Sequence, residues 1–315
     1  MQKAERKVVV IGIGSVGSTY IYALMHTGLA REIVLISRDQ RKVKGEVMDL
    51  EHGLPFIPPV KVRPGDYSDC ADANLIVVTA GAKQMPGQSR SVLVQRNSDI
   101  VKSICDEIKK YDSDAVLLMV ANPVDALTQV ALNWLGWPRE RVIGSGTVLD
   151  SARFRSMLSQ HCGIDTRNVH AYILGEHGDS EVAAWSMTHV AGVPMKNYCV
   201  ICGGCDSKKE HENIVHRVRD SAYHIIDYKG STYYAIGLAL TRISGAILRD
   251  EHSILTVSLL LQGEYDIDNI CLSVPCVVGQ TGVERIITAS LSENEQLAFK
   301  ASAETLQEIL DDIKT

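Results

Sequence analysis

Residues 7–17 read KVVVIGIGSVG, and no other stretch restricts the fold as much. An apolar run of β-branched residues is a buried strand, and the glycines after it open a helix running from about Val16 to Thr27. In such a turn Gly12 permits the tight reversal, Gly14 lets the backbone approach a pyrophosphate, and Gly17 allows close helix–strand packing. The free N–H groups of the helix start, near Val16, then face phosphate oxygens. Alone the pattern is weak. Behind a first strand and inside repeated βα units it marks a dinucleotide site.

The units do repeat. EIVLIS, VKVRPG, ANLIVVTAG, AVLLMVANP and RVIGSG read as further strands. Val94, Ile100, Val101, Ile104 and Ile108 recur at helical spacing between two of them. Near-continuous apolar strands alternating with helices give an α/β class, a Rossmann doubly wound parallel sheet with ligands at the strands' carboxyl ends. This dinucleotide-binding domain spans residues 1–145.

The pattern then changes. LDSARFRSMLSQHCG is a helix stopped by Gly163, and VHAYILG follows as a strand. Helical stretches run near 208–229 and 231–250, and ILTVSLLLQG with NICLSVPCVVGQTG reads as an antiparallel pair. A last helix places Leu306, Ile309, Leu310 and Ile313 on one face. Residues 146–315 thus form an α+β catalytic domain, and 315 residues suffice for both cores.

Composition narrows the partners. A formal charge of −6 and a pI near 5.9 disfavour nucleic acid, although SRDQRKVK is a local basic cluster. No apolar run approaches the ~20 residues of a membrane span, and the opening MQKAERKVVVIG lacks a signal-peptide core. Eight cysteines, several in apolar context, suit a reducing cytoplasm rather than a disulfide scaffold. CVICGGC places Cys199, Cys202 and Cys205 in a CxxCxxC run; a surface turn of free thiols is the preferred reading, with no metal assigned. A zinc reading would require a fourth ligand, for which His211 is a guess.

About 20 residues past the last glycine, a dinucleotide site usually offers a carboxylate to the adenosine ribose. Here stand Ser37 and Arg38, with Arg41 and Lys42 nearby. Serine removes the repulsion that a carboxylate exerts on a 2′-phosphate, and Arg38 can pair with phosphate oxygens. Alternatively Ser37 bonds the ribose and Arg38 faces solvent. NAD is the expected cofactor, and NADP stays open.

ILGEHGDS places His177 at the end of an apolar strand, and LDSARFR places Asp150 and Arg153 at i and i+3 on one helix face. Hydride chemistry on an alcohol needs a proton carrier that titrates near neutrality, which histidine supplies. Asp150 would orient it, and Arg153 could hold a substrate carboxylate bidentately.

With these residues the chain resembles the L-lactate dehydrogenases, and the wider lactate and malate dehydrogenase family, along essentially its whole length. The matching stretches are GIGSVGS, VVTAGAKQMPGQSR, ANPVD, SGTVLDSARFR, GEHGDS and KGSTYYAIG, in the family's order. The resemblance implies that His177 exchanges the proton, Asp150 supports it and Arg153 binds the substrate carboxylate. It places Asn122 at cofactor and substrate, and Gly81 and Ala82 along the cofactor. GAKQMPGQSRSVL then resembles the mobile active-site loop, bringing Arg90 to the carbonyl oxygen.

Gln84 stands where oxaloacetate-using members carry an arginine, so the resemblance implies pyruvate and L-lactate, with Thr232 in the small-substrate pocket. It also extends to bacterial members activated by fructose 1,6-bisphosphate, implying Arg155 and His170 as phosphate-holding residues at an interface of a homotetramer. A malate or other 2-hydroxyacid dehydrogenase is the alternative enzyme. A non-catalytic nucleotide-binding protein is the alternative class, which the joint presence of His177, Asp150, Arg153 and Arg90 argues against.

Overall fold

The computed structural model describes residues 6–82, 90–202 and 208–314. Six parallel strands, β1 (Lys7–Ile11), β2 (Glu32–Ile36), β3 (Lys61–Pro64), β4 (Leu75–Val78), β5 (Val116–Met119) and β6 (Val142–Gly144), lie in the order β3-β2-β1-β4-β5-β6. Helices α1 (Ser15–Met25), α2 (Gln40–Gly53), α3 (Arg90–Ile108) and α4 (Val124–Leu135) connect them. The central strands β1, β4 and β5 are buried on both faces, which is why they read as unbroken apolar runs rather than alternating ones. The order reverses between β1 and β4, and the loops after those strands border the crevice where such sheets bind ligands.

The second half continues through α5 (Val148–Cys162), β7 (Val169–His170), β8 (Ile173–Leu174), β9 (Val182–Ala183), β10 (His189–Val190) and β11 (Val193–Pro194). Helices α6 (Met195–Cys202), α7 (Lys208–Lys229) and α8 (Tyr234–Leu248) follow, then β12 (Ser253–Gln262), β13 (Asp268–Gly279), β14 (Gly282–Ile286) and α9 (Glu293–Asp311). α5 stops as expected at Gly163, whose φ of 63° is the left-handed conformation glycine adopts without a Cβ clash.

Three expectations are corrected. VHAYILG is two short strands, because β7 pairs with β10 while β8 pairs with β9, and one run cannot serve both sheets. The helix placed at 231–250 begins at Tyr234. Cys199 is not in a surface turn: it is buried on α6.

The β12–β13 pair forms as read, but its placement was not legible. A single backbone register, Ser258 opposite Gly144, joins β12 to β6, so the parallel sheet and the antiparallel strands make one nine-stranded sheet. α1 packs on α8 across the two halves, and the buried hydroxyls of Tyr20 and Ser244 meet at 2.7 Å. Among the described residues no helix is long and apolar enough to cross a membrane.

Candidate active site

Gly12 has a φ of +106°, and a Cβ there would lie 2.5 Å from the Ala80 nitrogen. A Cβ on Gly17 would lie 2.2 Å from the Gly12 oxygen, so neither turn nor helix tolerates a side chain. Gly14 differs: a Cβ there meets no protein atom within 4 Å, which leaves its face open to a ligand. Gly14 caps α1 without a side-chain hydrogen bond, and the first turn holds no acidic residue. The N–H groups at Ser15, Val16 and Gly17 therefore suit a pyrophosphate, and the site fits a dinucleotide.

At the ribose end of β2, the Ser37 carbonyl accepts from Gln40 Nε2 at 2.7 Å and Arg38 is exposed. The next residue, Asp39, is spent as the cap of α2: its Oδ1 accepts from the Arg41 and Lys42 nitrogens, each at 3.1 Å. No side-chain carboxylate pairs with Arg38 among the described residues.

The loops after β4 and β5 are tied by a residue that sequence reading missed. Buried Asn97 of α3 accepts from the Ala82 nitrogen at 2.7 Å and donates to the Asn122 carbonyl at 2.8 Å. One amide thus sets the spacing of the loops carrying Gly81, Ala82 and Asn122, while Asn122 itself is exposed toward solvent. The peptide between Asn122 and Pro123 is cis.

The proton-transfer group is assembled from distant segments. His177 Nδ1 lies 2.6 Å from Asp150 Oδ2, and Arg153 donates to Asp150 Oδ1 at 2.8 Å. Asp150 is 2% exposed, so both its oxygens are committed to cations. Burial alone would raise its pKa, but the charges of His177 and Arg153 hold it below the usual carboxylate value. The Asp150 charge in turn pushes His177 up to about 9 against the opposing effect of burial. With Nδ1 engaged, Nε2 is the nitrogen left for a substrate; the His177 side chain is 27% exposed.

A second carboxylate fixes the backbone. Asp125 Oδ2 accepts from the His177 nitrogen at 2.7 Å, and burial raises its pKa to about 6. Asp125 stands in ANPVD, yet only its helix position marks it in sequence. Glu181 is also buried: burial, then the neighbouring Asp150 charge, pushes it up to about 8, and its Oε1 has no hydrogen-bond partner. Arg219 of α7 reaches the Glu181 carbonyl at 2.6 Å. Neither Glu181 nor Arg219 carried any sequence signal.

Of the other expected residues, Gln84 lies outside the described residues, as do the loop positions 83–89. Arg90 begins α3, and its side chain is likewise not described. Thr232 sits half-buried between α7 and α8. Arg155 is half-buried on α5, where its Nε donates to the Ser151 carbonyl at 3.2 Å. His170 is exposed on β7, which packs beside α5.

Comparison with known proteins accounts for almost all of the chain. Residues 6–144 match the family description lactate/malate dehydrogenase, NAD binding domain, and residues 147–315 match lactate/malate dehydrogenase, alpha/beta C-terminal domain. The L-lactate dehydrogenase of Treponema denticola is 54% identical over 311 residues, covering 98% of each chain. That of Acetivibrio thermocellus is 51% identical over 308 residues, covering 98% of this chain and 97% of its own. The solved structure of the minor L-lactate dehydrogenase from Enterococcus mundtii superposes with a TM-score of 0.96 at 42% identity, covering 99% of both chains.

Proposed function

This chain belongs to the lactate/malate dehydrogenase family, and from that premise we propose that it interconverts pyruvate and L-lactate as an NAD-dependent L-lactate dehydrogenase. The observation that carries the reading is the Arg153–Asp150–His177 line, in which one buried carboxylate holds a proton carrier and a carboxylate-binding arginine. When bound, the nicotinamide supplies the hydride. His177 gives a proton from Nε2 to the forming hydroxyl and takes it back in the oxidative direction. Arg153 grips the substrate carboxylate, the family resemblance gives Arg90 the role of polarising the carbonyl oxygen, and Gln84 in place of an arginine offers no cation for a second carboxylate. Residues 1–145 form the cofactor lobe and 146–315 the substrate lobe of a cytoplasmic homotetramer. Exposed Tyr22, Met48, Phe56, Tyr234 and Leu238 support assembly. The test is reduction of pyruvate and of oxaloacetate by the purified protein; equal efficiency on oxaloacetate sinks the substrate assignment.

The cofactor reading extends to NADPH. The carboxylate next in sequence to the ribose position, Asp39, is occupied by two backbone donors, while Arg38 has no anionic partner among the described residues. Ser37→Asp is expected to lower kcat/KM for NADPH at least ~10-fold relative to NADH, by restoring like-charge repulsion at the 2′-phosphate. An unchanged ratio, or a strong NADH preference in the parent protein, means that Ser37 serves the ribose hydroxyls.

The same family reading includes activation by fructose 1,6-bisphosphate at Arg155 and His170. Burial, and secondarily Arg242, lowers the Arg155 pKa, and no carboxylate pairs with it among the described residues. A half-desolvated cation without an anion is a site prepared for one brought by an effector. In Arg155→Gln the activation ratio should collapse to about 1, from a ratio of about 5 to 150 typical of such couplings. Activation that survives in Arg155→Gln and in His170→Gln would refute the placement.

A further inference from the structure

The turn between α8 and β12 carries side chains that the dehydrogenase reading does not use. One oxygen each of Asp250 and Glu284 and one nitrogen of His252 lie within 4.8 Å of one another. His252 Nδ1 is 2.8 Å from Glu284 Oε2, and His252 Nε2 is 3.8 Å from Asp250 Oδ2. Asp250 and His252 come from the turn and Glu284 from β14, so the cluster joins two segments of the chain. Gly279, at the end of β13, makes room for it. A Cβ there would collide with Glu284 Oε1 and lie 2.9 Å from Asp250 Oδ1. The Gln280 nitrogen donates to Asp250 Oδ1 at 2.8 Å, which fixes that carboxylate and leaves Oδ2 toward His252.

The neighbouring cations turn elsewhere. Arg242 and Arg249 both reach Glu251, at 2.5 and 3.7 Å. Neither Asp250 nor Glu284 pairs with a lysine or arginine among the described residues. Arg285 opposes positive charge at His252, but Glu284 and Asp250 outweigh it. Two carboxylates drawn together over a glycine repel each other unless a positive charge stands between them.

We propose that Asp250, His252 and Glu284 form a surface site for a divalent transition-metal cation, with zinc the best match, that ties the α8–β12 turn to β14. Zinc accepts imidazole and carboxylate together, whereas magnesium and calcium favour oxygen alone. Bonds of about 2.1 Å at a tetrahedral angle put two donors about 3.4 Å apart. All three side chains are exposed, so rotamer changes close the remaining distance and water fills the open coordination position. The site lies away from the chemistry. Asp250 and Gln280 line a cavity of about 460 Å³ with Arg6, Asn74, Asp114 and Arg141, which lead into β1, β4, β5 and β6. That is the end of the sheet opposite the ligand crevice. The metal's role is therefore structural: it binds only the folded chain, stabilises it, and anchors the end of the helix that packs on α1.

The test uses the full chain, stripped of metal by a chelator under reducing conditions and then titrated with zinc alone. Calorimetry should show a zinc equivalent that Asp250→Asn, His252→Gln and Glu284→Gln each weaken at least ~10-fold. Circular dichroism and NADH binding should match the parent in all three, which shows that the variants are folded. Zinc should raise the melting temperature of the parent and leave that of His252→Gln unmoved. Magnesium in equal amount should not displace it. Cobalt(II) in place of zinc should bind without a thiolate-to-metal charge-transfer band. No zinc equivalent in the parent, or one undiminished in any of the three variants, overturns the proposal. A charge-transfer band that persists in all three variants places the metal on cysteine instead and overturns it too.

Discussion

Replacing His177 by Asn leaves NADH affinity within about twofold and lowers pyruvate turnover by about 10³-fold, near the middle of the range for loss of a general acid. Asparagine retains a polar side chain but has no proton to give near neutrality, so the forming alkoxide would have to find one in water. The assignment rests on Nδ1 being held by Asp150 at 2.6 Å, which points the other nitrogen outward. The pH profile checks the same group independently. Pyruvate reduction requires His177 protonated, so its kcat/KM should hold through neutrality and fall as pH rises through about 9. Lactate oxidation requires the neutral ring and should rise over the same interval. In Asp150→Asn the largest charge that raises His177 is gone, and burial is opposed only by the lesser effects of Asp125 and Glu181, so the midpoint should drop well below about 9. The linkage to stability has the same direction. A pKa raised above 6.5 means that the pair stabilises the fold fully below that pH and stops doing so above about 9. Full turnover in His177→Asn, or an unmoved midpoint in Asp150→Asn, would remove the proton-transfer role.

What sequence could reveal here follows from how local each feature is. The phosphate turn is written in consecutive residues, and Gly12 and Gly17 are dictated by contacts of 2.5 and 2.2 Å within that one βα unit. Asp150 and Arg153 were readable as a pair because one turn of helix joins them. His177 lies 27 residues beyond Asp150, and no periodicity spans that gap; the family's motif order linked them before the structure did. Asn97 and Glu181 were invisible for a different reason. Their roles come from what surrounds them in three dimensions: two loop ends for Asn97, and a buried Asp150 for Glu181. VHAYILG failed because strand propensity registers the apolar run but not a partner change at Ala171 and Tyr172. The joining of β12 to β6 rests on one pairing between residues 114 positions apart, which no local pattern encodes.

Arg153→Gln should raise the KM for pyruvate by about 10²- to 10³-fold, the consequence of leaving a carboxylate unpaired in a desolvated site. The loss belongs mainly in KM, because a carboxylate two atoms from the hydroxyl keeps its charge from substrate through transition state. Geometry adds a second effect. Arg153 donates to Asp150 at 2.8 Å, so removing it leaves Asp150 with His177 as its only cationic partner among the described residues. That strengthens the proton's hold on the pair, and a smaller fall in kcat should accompany the rise in KM. Arg153→Lys separates charge from shape. Lysine restores a cation but not two parallel N–H donors, so it should recover only part of the affinity. Three measurements decide it: KM for pyruvate, kcat, and the dissociation constant for NADH. An NADH constant that moves with KM would place Arg153 in the fold rather than at the substrate. A pyruvate KM unchanged in both variants would mean that another cation holds the carboxylate, and that Arg153 serves only to keep Asp150 ionised.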